Sequence, residues 1–330
     1  MDDDAVELAR AAGLDYGFDD EPGLTRRRRG RGFTYLDHRG RRIGESQRSR
    51  IEALAIPPAW TDVWISSDPD NHILATGRDD AGRKQYLYHE RWRTVRDEQK
   101  YADLAEFATR LVRIRRRVAA DLGGRHLTRE RTIAAVVRLL DRTLVRIGNE
   151  TYAAENDTFG LTTLESRHVR RHADRHVLSF DGKNGAAWEV EVDDGPTRAV
   201  IDECRARREP QLFCFVTDGG VVDLTSAQVN DYLLAVAGPA ATARTFRTWG
   251  GSVVAAEMLA LGEGELAAID AAADVLGNTR AVCRSCYVAP AVLAAGHDGR
   301  LDEAWRASRG GRWRSRAESA TAKILAHPDS

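Results

Sequence analysis

Residues 277–287, GNTRAVCRSCY, are the stretch that decides how the rest of this chain is interpreted. The stretch ends in Tyr287, and three separate segments upstream each supply a cation suited to a phosphate. These cations are Arg146, Arg247 and Lys183, the last at the tip of a predicted hairpin. A phenol, two guanidiniums and a lysine are the side chains needed to attack a phosphodiester without a metal ion.

Each of these residues also has an ordinary structural interpretation. Arg146 is predicted to lie late in an amphipathic helix, where an ion pair with Asp141 or Glu150 would satisfy its charge. A lysine at an exposed hairpin tip, such as Lys183, is usually solvated, and a tyrosine in a helix, such as Tyr287, usually packs in a core. The functional interpretation therefore depends on the four residues occurring together.

Composition predicts a globular protein of two domains. The chain has 330 residues, of which 42% are hydrophobic, enough to bury two cores. It lacks a run of about 20 apolar residues, so no membrane span is expected. The acidic start does not have the order of a signal peptide, and a cytoplasmic location follows as an expectation. Four cysteines in such a chain are expected to be free thiols.

The net charge of −1 conceals an uneven distribution. Residues 1–24 contain eight acidic side chains and one arginine, whereas residues 25–50 contain ten arginines and two acidic side chains, a local balance of 10 − 2 = +8. A basic face of this kind can hold phosphates, although solvated surface charge is the ordinary explanation of any single run. The acidic leader over residues 1–24 is predicted to be solvated and partly disordered.

Periodicity separates a β-rich region from a helical one. Residues 25–96 contain short apolar or aromatic runs between turn residues, which predicts a small β-rich domain. From residue 97 the apolar period becomes helical, and residues 97–330 are predicted to form a larger, mostly α-helical domain. Two strands around a turn at residues 181–185 predict a β-hairpin insert in it. The expected fold class is therefore α+β.

Five segments in order resemble those of the type IB DNA topoisomerases, in the small poxvirus and bacterial branch of the tyrosine topoisomerase and recombinase superfamily. The resemblance covers roughly residues 30–300. In the smaller domain, residues 82–88 (GRKQYLY) resemble the strand that reads the DNA major groove in that family. In the larger domain the similar segments are residues 146–164 (RIGNETY and NDTFGLTTL), residues 180–183 (FDGK), residues 246–249 (FRTW) and residues 283–287 (CRSCY).

The resemblance implies a mechanism and an architecture. Tyr287 would attack one backbone phosphate, giving a 3′-phosphotyrosyl enzyme and a free 5′-hydroxyl. Arg146 and Arg247 would bind the non-bridging oxygens, and Lys183 would protonate the leaving oxygen. Rotation of the duplex would relax supercoils, and rejoining would need neither ATP, a metal ion nor any other cofactor. The two domains would close as a C-shaped clamp around duplex DNA, and the enzyme would work as a monomer without an obligate protein partner.

Two positions depart from the poxvirus pattern. Asn278 lies nine residues before Tyr287, where those members and the tyrosine recombinases have a histidine. An amide can donate a hydrogen bond to a phosphate oxygen but cannot carry a charge, so the role is expected to survive in a different form. Arg244 stands where the poxvirus members have lysine, which keeps a positive charge near the scissile phosphate.

The resemblance also marks residues that would contact DNA. Alternation in the strand places Tyr86 and Tyr88 on one face, with a half-buried aromatic pair as the structural alternative. The full set of expected DNA contacts consists of Arg83, Lys84, Gln85, Tyr86, Tyr88, Tyr152 and Arg244.

Two other functions and two metal-like patterns compete with this interpretation. A tyrosine recombinase or integrase shares the nucleophile but usually has His-x-x-Arg where this chain has Arg244-Thr245-Phe246-Arg247. A non-catalytic DNA-binding relative should have lost a catalytic residue, and only the histidine position differs. Cys283 and Cys286 lack a second ligand pair for zinc, and His168, His172 and His176 lie beside a predicted hairpin, so no metal site is expected.

Overall fold

The computed structural model describes residues 3–150, 153 and 157–327, and Tyr152, predicted to contact DNA, lies outside these residues. About half of the chain is helical, and the strands form small antiparallel sheets, so the protein is a mixed fold of helices and strands. The chain divides into two compact units, one ending at Lys100 and one beginning at Tyr101. Within the described ranges no helix is long and apolar enough to cross a membrane.

The first unit is built on a five-stranded antiparallel sheet. Its strand order is β2-β1-β3-β4-β5, and its core contains Leu24, Tyr35, Val63 and Ile65. The short helix α2 (Glu45–Ala53) adds Ile51 to the same core. The strands are β1 (Leu24–Arg29), β2 (Gly32–Leu36), β3 (Thr61–Ile65), β4 (Ile73–Arg78) and β5 (Lys84–Tyr88).

The acidic leader contains a helix in its described residues, and its partial disorder stays a prediction. Helix α1 (Asp3–Ala11) buries Ala5 and Ala9 against Trp92, and Leu14 completes the cluster. Its apolar residues recur at helical spacing, so one face of the helix can be buried while Glu7 on another face stays exposed. Leader residue Asp15 also exchanges backbone hydrogen bonds with residues 70 and 72.

The second unit is mostly helical. Fully buried side chains such as Phe107, Ile133, Leu140, Phe213 and Phe246 form its main core. In the described part of the chain its helices are α3 (Glu90–Leu122, which begins in the first unit), α4 (Arg129–Thr143), α5 (Gly195–Arg205), α6 (Ser226–Ala237), α7 (Ala243–Ala260), α8 (Glu265–Leu276), α9 (Arg280–Cys286), α10 (Pro290–Asp298), α11 (Arg300–Arg306) and α12 (Arg316–Ala326).

Two small sheets accompany these helices. The predicted hairpin insert is confirmed as the strands β7 (His176–Gly182) and β8 (Ala186–Val192), joined by a 3₁₀ turn at Lys183–Gly185. The strand β6 (Val169–Arg171) pairs with β7 to complete a three-stranded sheet. A separate two-stranded hairpin consists of β9 (Cys214–Thr217) and β10 (Gly220–Asp223).

Helix α4 ends earlier than the sequence pattern predicts. Thr128 caps its start, because the Thr128 side chain accepts a hydrogen bond from the Arg131 amide. The helix stops at Thr143, since Leu144 adopts a left-handed conformation with φ of 55°. The Leu144 side chain lies on Gly250 of α7, where a Cβ would approach it within 2.3 Å. Arg146 therefore lies in the loop after the helix, and the prediction that it is helical was wrong.

Candidate active site

The loop that contains Arg146 is clamped to the segment at residues 160–162. The Leu161 amide donates to the Arg146 carbonyl at 2.9 Å, and the Thr162 amide donates to the Ile147 carbonyl at 2.7 Å. The two backbones approach so closely that a Cβ on Gly160 would lie 2.4 Å from the Gly148 nitrogen. Gly160 is thus required by packing, and this contact fixes where the Arg146 side chain begins.

Arg247 enters the site from the first turns of α7, which Thr242 caps by accepting a hydrogen bond from the Thr245 amide. Its guanidinium is buried at 3% exposure and donates to two backbone carbonyls, those of Leu144 and Leu276. Both carbonyls belong to helix ends, where the α-helical ladder leaves oxygens without partners. The side chain therefore joins the ends of α4 and α8 at one point.

The electrostatic environment of Arg247 is unfavourable for a cation. Burial, and then repulsion from Arg146, lower the pKa of Arg247 to about 10. The guanidinium carbon lies 5.1 Å from the ring centroid of Tyr287, which offers some compensation through the face of the ring. No acidic side chain forms a salt bridge with Arg146 or Arg247 within residues 3–150, 153 and 157–327. The candidate partner Asp141 pairs with Arg115 instead.

Asn278 lies in the short connection between α8 and α9. Gly277 ends α8 in a left-handed conformation, with φ of 59°, and turns the chain toward the cleft. The Asn278 side-chain oxygen accepts a hydrogen bond from Arg146 Nη2 at 2.6 Å. Sequence reasoning assigned both residues to one phosphate site, and the structure brings them into direct contact.

Tyr287 follows the last residue of α9. The Tyr287 amide donates to the Cys283 carbonyl at 2.9 Å, and the hydroxyl of Ser252 donates to the Tyr287 carbonyl at 3.3 Å. The half-buried ring packs beside a small core that contains Leu276, Cys283 and Val288. Burial raises the pKa of the Cys283 thiol to about 11, which suits a packing residue better than a reactive one.

Lys183 lies in the turn between β7 and β8, and its exposed side chain lines the same cleft as Tyr287. The cleft has a volume of about 620 Å³. Its lining includes four of the five predicted catalytic residues and Arg244. The fifth, Asn278, accepts a hydrogen bond from Arg146, which lines the cleft. The lining residues are Arg146, Ile147, Gly148, Asn149, Thr158, Phe159, Gly160, Lys183, Ala243, Arg244, Arg247 and Tyr287.

Three buried nitrogen atoms of the site have no hydrogen-bond partner among the described residues. They are Nη1 of Arg146, Nε of Arg247 and Nδ2 of Asn278. Buried donors are almost always paired in folded proteins, so three unpaired donors in adjoining residues call for an explanation. A bound anion that accepts from all three would supply it.

The predicted DNA contacts of the first unit lie on the strand β5 or, for Arg83, directly before it. Tyr86 and Tyr88 stack with ring centroids 5.7 Å apart, and Tyr86 is 41% exposed. Lys84 lies over the Tyr86 ring and forms an ion pair with Asp19 of the leader at 2.5 Å. The Arg83 and Gln85 side chains both donate to Asp79. Lys84, Tyr86 and Tyr88 thus form a stack along one face of the strand. Alternation places Gln85 on the other face.

Two residues of the second unit were missed by sequence reasoning. Ser252 donates to the Thr248 and Tyr287 carbonyls and accepts from the Ala289 amide, so it anchors the chain on both sides of Val288. Trp188 of β8 contacts glycines next to two of the predicted catalytic residues. Neither residue belongs to a local pattern, because each acts through segments distant in sequence.

Two of the histidines that are spaced like metal ligands in the sequence have other hydrogen-bond partners in the structure. No group of three or more His, Cys, Asp or Glu side chains that could hold a metal ion occurs within the described part of the chain. The His176 ring hydrogen-bonds to Asp202 at 3.1 Å. His168 accepts a hydrogen bond from the Glu165 amide, so these two histidines have structural partners.

Together, the fold and site define a protein with a tyrosine, the buried Arg247 and three further cations at one cleft. Residues 89–308 match the family model of the eukaryotic DNA topoisomerase I catalytic core, and residues 32–79 match that of the bacterial DNA topoisomerase IB N-terminal domain. The first match covers more than half of the chain. The chain belongs to the type IB DNA topoisomerase family, which confirms the resemblance seen in the sequence.

Two viral relatives support this membership. The chain is 28% identical to DNA topoisomerase 1B of Acanthamoeba polyphaga mimivirus over 209 residues, which are 62% of this chain and 62% of the relative. It is 24% identical to DNA topoisomerase 1B of vaccinia virus (strain Copenhagen) over 151 residues, 43% of this chain and 46% of the relative. The matched segments thus span less than two thirds of either relative.

Proposed function

We propose that this protein is a type IB DNA topoisomerase that relaxes positive and negative supercoils without ATP. Tyr287 attacks one phosphodiester of duplex DNA, forming a bond from its phenolic oxygen to phosphorus as the bond to the 5′ oxygen breaks. The product is a 3′-phosphotyrosyl enzyme and a free 5′-hydroxyl. The covalent link conserves the energy of the broken bond, so the 5′-hydroxyl can reverse the reaction after the duplex has rotated.

The observation that supports this proposal most strongly is the set of three unpaired buried donors beside Tyr287. Arg146 Nη1, Arg247 Nε and Asn278 Nδ2 are the atoms that would donate to the non-bridging oxygens of the scissile phosphate. Their positions are set by backbone contacts that need no DNA, so the site is organised before the substrate arrives. Donors arranged in advance stabilise the charge that accumulates on those oxygens in the transition state.

Lys183 is the proposed general acid. A 5′-alkoxide is a poor leaving group, and an ammonium group on the cleft wall can protonate it as it departs. Arg244, at the start of α7, adds positive charge to the same cleft. These cations can supply the charge stabilisation that a divalent ion provides at other phosphoryl-transfer sites, so neither a metal ion nor another cofactor is part of the proposal.

The substrate in this proposal is double-stranded DNA. Arg83, Lys84, Gln85, Tyr86 and Tyr88 would contact it from the first unit, supported by the exposure of Tyr86 and the grouping of the side chains on β5. Tyr152 completes the proposed contacts. The two units would close around the duplex as a C-shaped clamp, and one chain would be sufficient without a protein partner. A cytoplasmic, nucleoid-associated location follows from this substrate.

The test is relaxation of supercoiled plasmid in EDTA without ATP, with wild type, Tyr287→Phe and Tyr232→Phe compared. Tyr232 is a matched control because its hydroxyl donates to Asp121 and does not line the cleft. We expect wild type and Tyr232→Phe to relax the plasmid and Tyr287→Phe to leave it supercoiled. Relaxation by Tyr287→Phe would refute the assigned nucleophile. DNA binding by wild type without relaxation would favour a recombinase or a non-catalytic relative.

A further inference from the structure

The indole ring of Trp188 lies between Gly182 and Gly277. These glycines directly precede two of the proposed active-site residues. A Cβ on Gly182, which precedes Lys183, would lie 2.7 Å from Nε1 of Trp188. A Cβ on Gly277, which precedes Asn278, would lie 2.8 Å from Cζ2 of the same ring. Both distances are too short for any side chain, so the ring rests directly on the two backbones.

The glycine at position 182 has no other explanation in the structure. Its φ is −92°, a conformation that every residue adopts easily, so the backbone does not require glycine there. Gly277 has a left-handed φ of 59° and would favour glycine in any case. The absence of a side chain at Gly182 is therefore tied to the indole, which occupies the space that a Cβ would take.

The ring is itself held in place from the hairpin side. Trp188 is paired with Phe180 across β7 and β8, and the two rings are parallel to within 8° with centroids 6.4 Å apart. Phe180 is buried in the main core of the second unit. The strands β7 and β8 pair as far as Gly182 and Ala186, and the turn lies beyond this pair. The indole, fixed against the core, can therefore hold the tip of the hairpin in place.

We propose that Trp188 is a positioning residue for protonation of the leaving group, holding the Lys183 turn at a fixed distance from the Asn278 and Arg146 pair. This inference rests on the proposed function. In the step concerned, the bond from phosphorus to the 5′ oxygen breaks, and a proton moves from the Lys183 ammonium to that oxygen, leaving a neutral amine and a 5′-hydroxyl. Trp188 touches neither reacting atom, and it acts by placing the proton donor within reach.

Leaving-group chemistry separates this role from a general structural one. A sulfur atom in place of the bridging 5′ oxygen leaves as a thiolate, which is far less basic than an alkoxide and needs no proton. Loss of the general acid therefore slows cleavage of the oxygen substrate and spares the sulfur substrate. Loss of phosphate binding or of folded structure slows both substrates equally.

The experiment measures single-turnover cleavage of two duplexes, one with oxygen and one with sulfur at a site mapped first with wild type. For Trp188→Ala we expect cleavage of the oxygen duplex to fall about 100-fold, the lower end of what a general acid contributes. The sulfur duplex should be cleaved at close to the wild-type rate. The double variant Lys183→Ala, Trp188→Ala should be no slower on oxygen than Lys183→Ala alone, because both changes remove one function.

Two further variants keep the test decisive. Trp188→Phe retains an aromatic ring and should recover part of the oxygen rate, which also covers the case in which the alanine variant does not fold. Trp305→Ala removes another half-buried tryptophan of the same unit, on α11, and should show no dependence on the leaving group. Equal slowing of both substrates by the Trp188 variants, or additivity with Lys183→Ala, would overturn the inference. Failure of wild type to cleave either duplex would instead refute the proposed function.

Discussion

Two arginines of the second unit, Arg247 buried and Arg115 partly buried, are in opposite electrostatic situations. Arg115 on α3 forms salt bridges with Asp141 at 2.8 Å and Glu318 at 2.5 Å. Burial alone would lower the pKa of Arg115, but the hydrogen bonds to the two carboxylates outweigh it and raise that pKa. Arg247 instead donates to backbone carbonyls and lies over a tyrosine ring, and burial lowers its pKa to about 10.

The difference indicates what each site is built for. The charge of Arg115 is balanced by its two carboxylate partners, and the side chain holds α3, α4 and α12 together. A buried cation beside a second cation, without a salt bridge in the described ranges, is stabilised only when an anion arrives. A position where a fold is less stable than it could be is commonly a position where function requires that arrangement.

The largest effect that separates the two sites is expected from Arg247→Gln. The change removes a proposed donor to the scissile phosphate, so we expect the rate of strand cleavage to fall about 1,000-fold, as for other donors to a developing anion. The free energy of unfolding should change by less than about 1 kcal/mol, because relief of an unpaired buried charge offsets the lost carbonyl contacts. Single-turnover cleavage and urea unfolding measure the two quantities, and a stability loss as large as the catalytic loss would remove the contrast.

Glu318→Gln should give the opposite result. It leaves Arg115 partly buried with one carboxylate instead of two, and we expect the free energy of unfolding to fall by about 3 kcal/mol. Cleavage by the folded protein should stay near the wild-type rate. Urea unfolding followed by circular dichroism, with Glu303→Gln on α11 as an exposed control, tests the expectation. A normal stability would show that the carboxylate is dispensable.

The same variant predicts a pH dependence. Burial raises the pKa of Glu318, but the hydrogen bonds from Arg115 prevail, and the net pKa lies below its ordinary value of 4.5. A carboxyl group with a lowered folded pKa contributes stability that is present above pH 4.5 and is lost as the pH falls through the folded pKa. Wild type should therefore lose more stability than Glu318→Gln on acidification below pH 4.5, which acid titration of the unfolding free energy would measure.

The smallest effect is expected from an added anion. Sulfate at ten times its dissociation constant stabilises the folded state by about 1.4 kcal/mol, which corresponds to roughly 2–4 °C in the melting temperature. Part of any shift is a general salt effect. The informative quantity is therefore the difference between wild type and Arg146→Gln. An equal shift in both proteins would mean that Arg146 does not contribute to an anion site.

The sequence predicted the members of the site better than their local structure. Tyr287, Arg146, Arg247, Lys183 and Asn278 were selected from ordered motifs, and the structure brings them together around one cleft or in direct contact with it. Their proposed roles stay predictions. Ordered motifs are informative because the requirements of a site restrict several short segments at once.

What the sequence could not predict depends on contacts between distant segments. Helix α4 ends early because Leu144 packs against Gly250. Asp141 does not pair with Arg146 because it pairs with Arg115. Neither contact leaves a periodic signal near Arg146, so the pattern extended the helix too far. The docking of the leader helix could not be predicted for a related reason, since Trp92, which covers Ala5 and Ala9, lies in a different part of the chain.

The ion pairs of Arg115 also set an order of events during synthesis. Glu318 follows Arg115 by 203 residues and lies beyond the segment that matches the catalytic core. At about 5–20 residues per second, roughly 10–40 seconds pass on the ribosome between the two residues. During that interval the Arg115 cation has at most Asp141 as a carboxylate partner. The charge balance of the second unit is therefore completed only when α12 has been made and has folded against the rest.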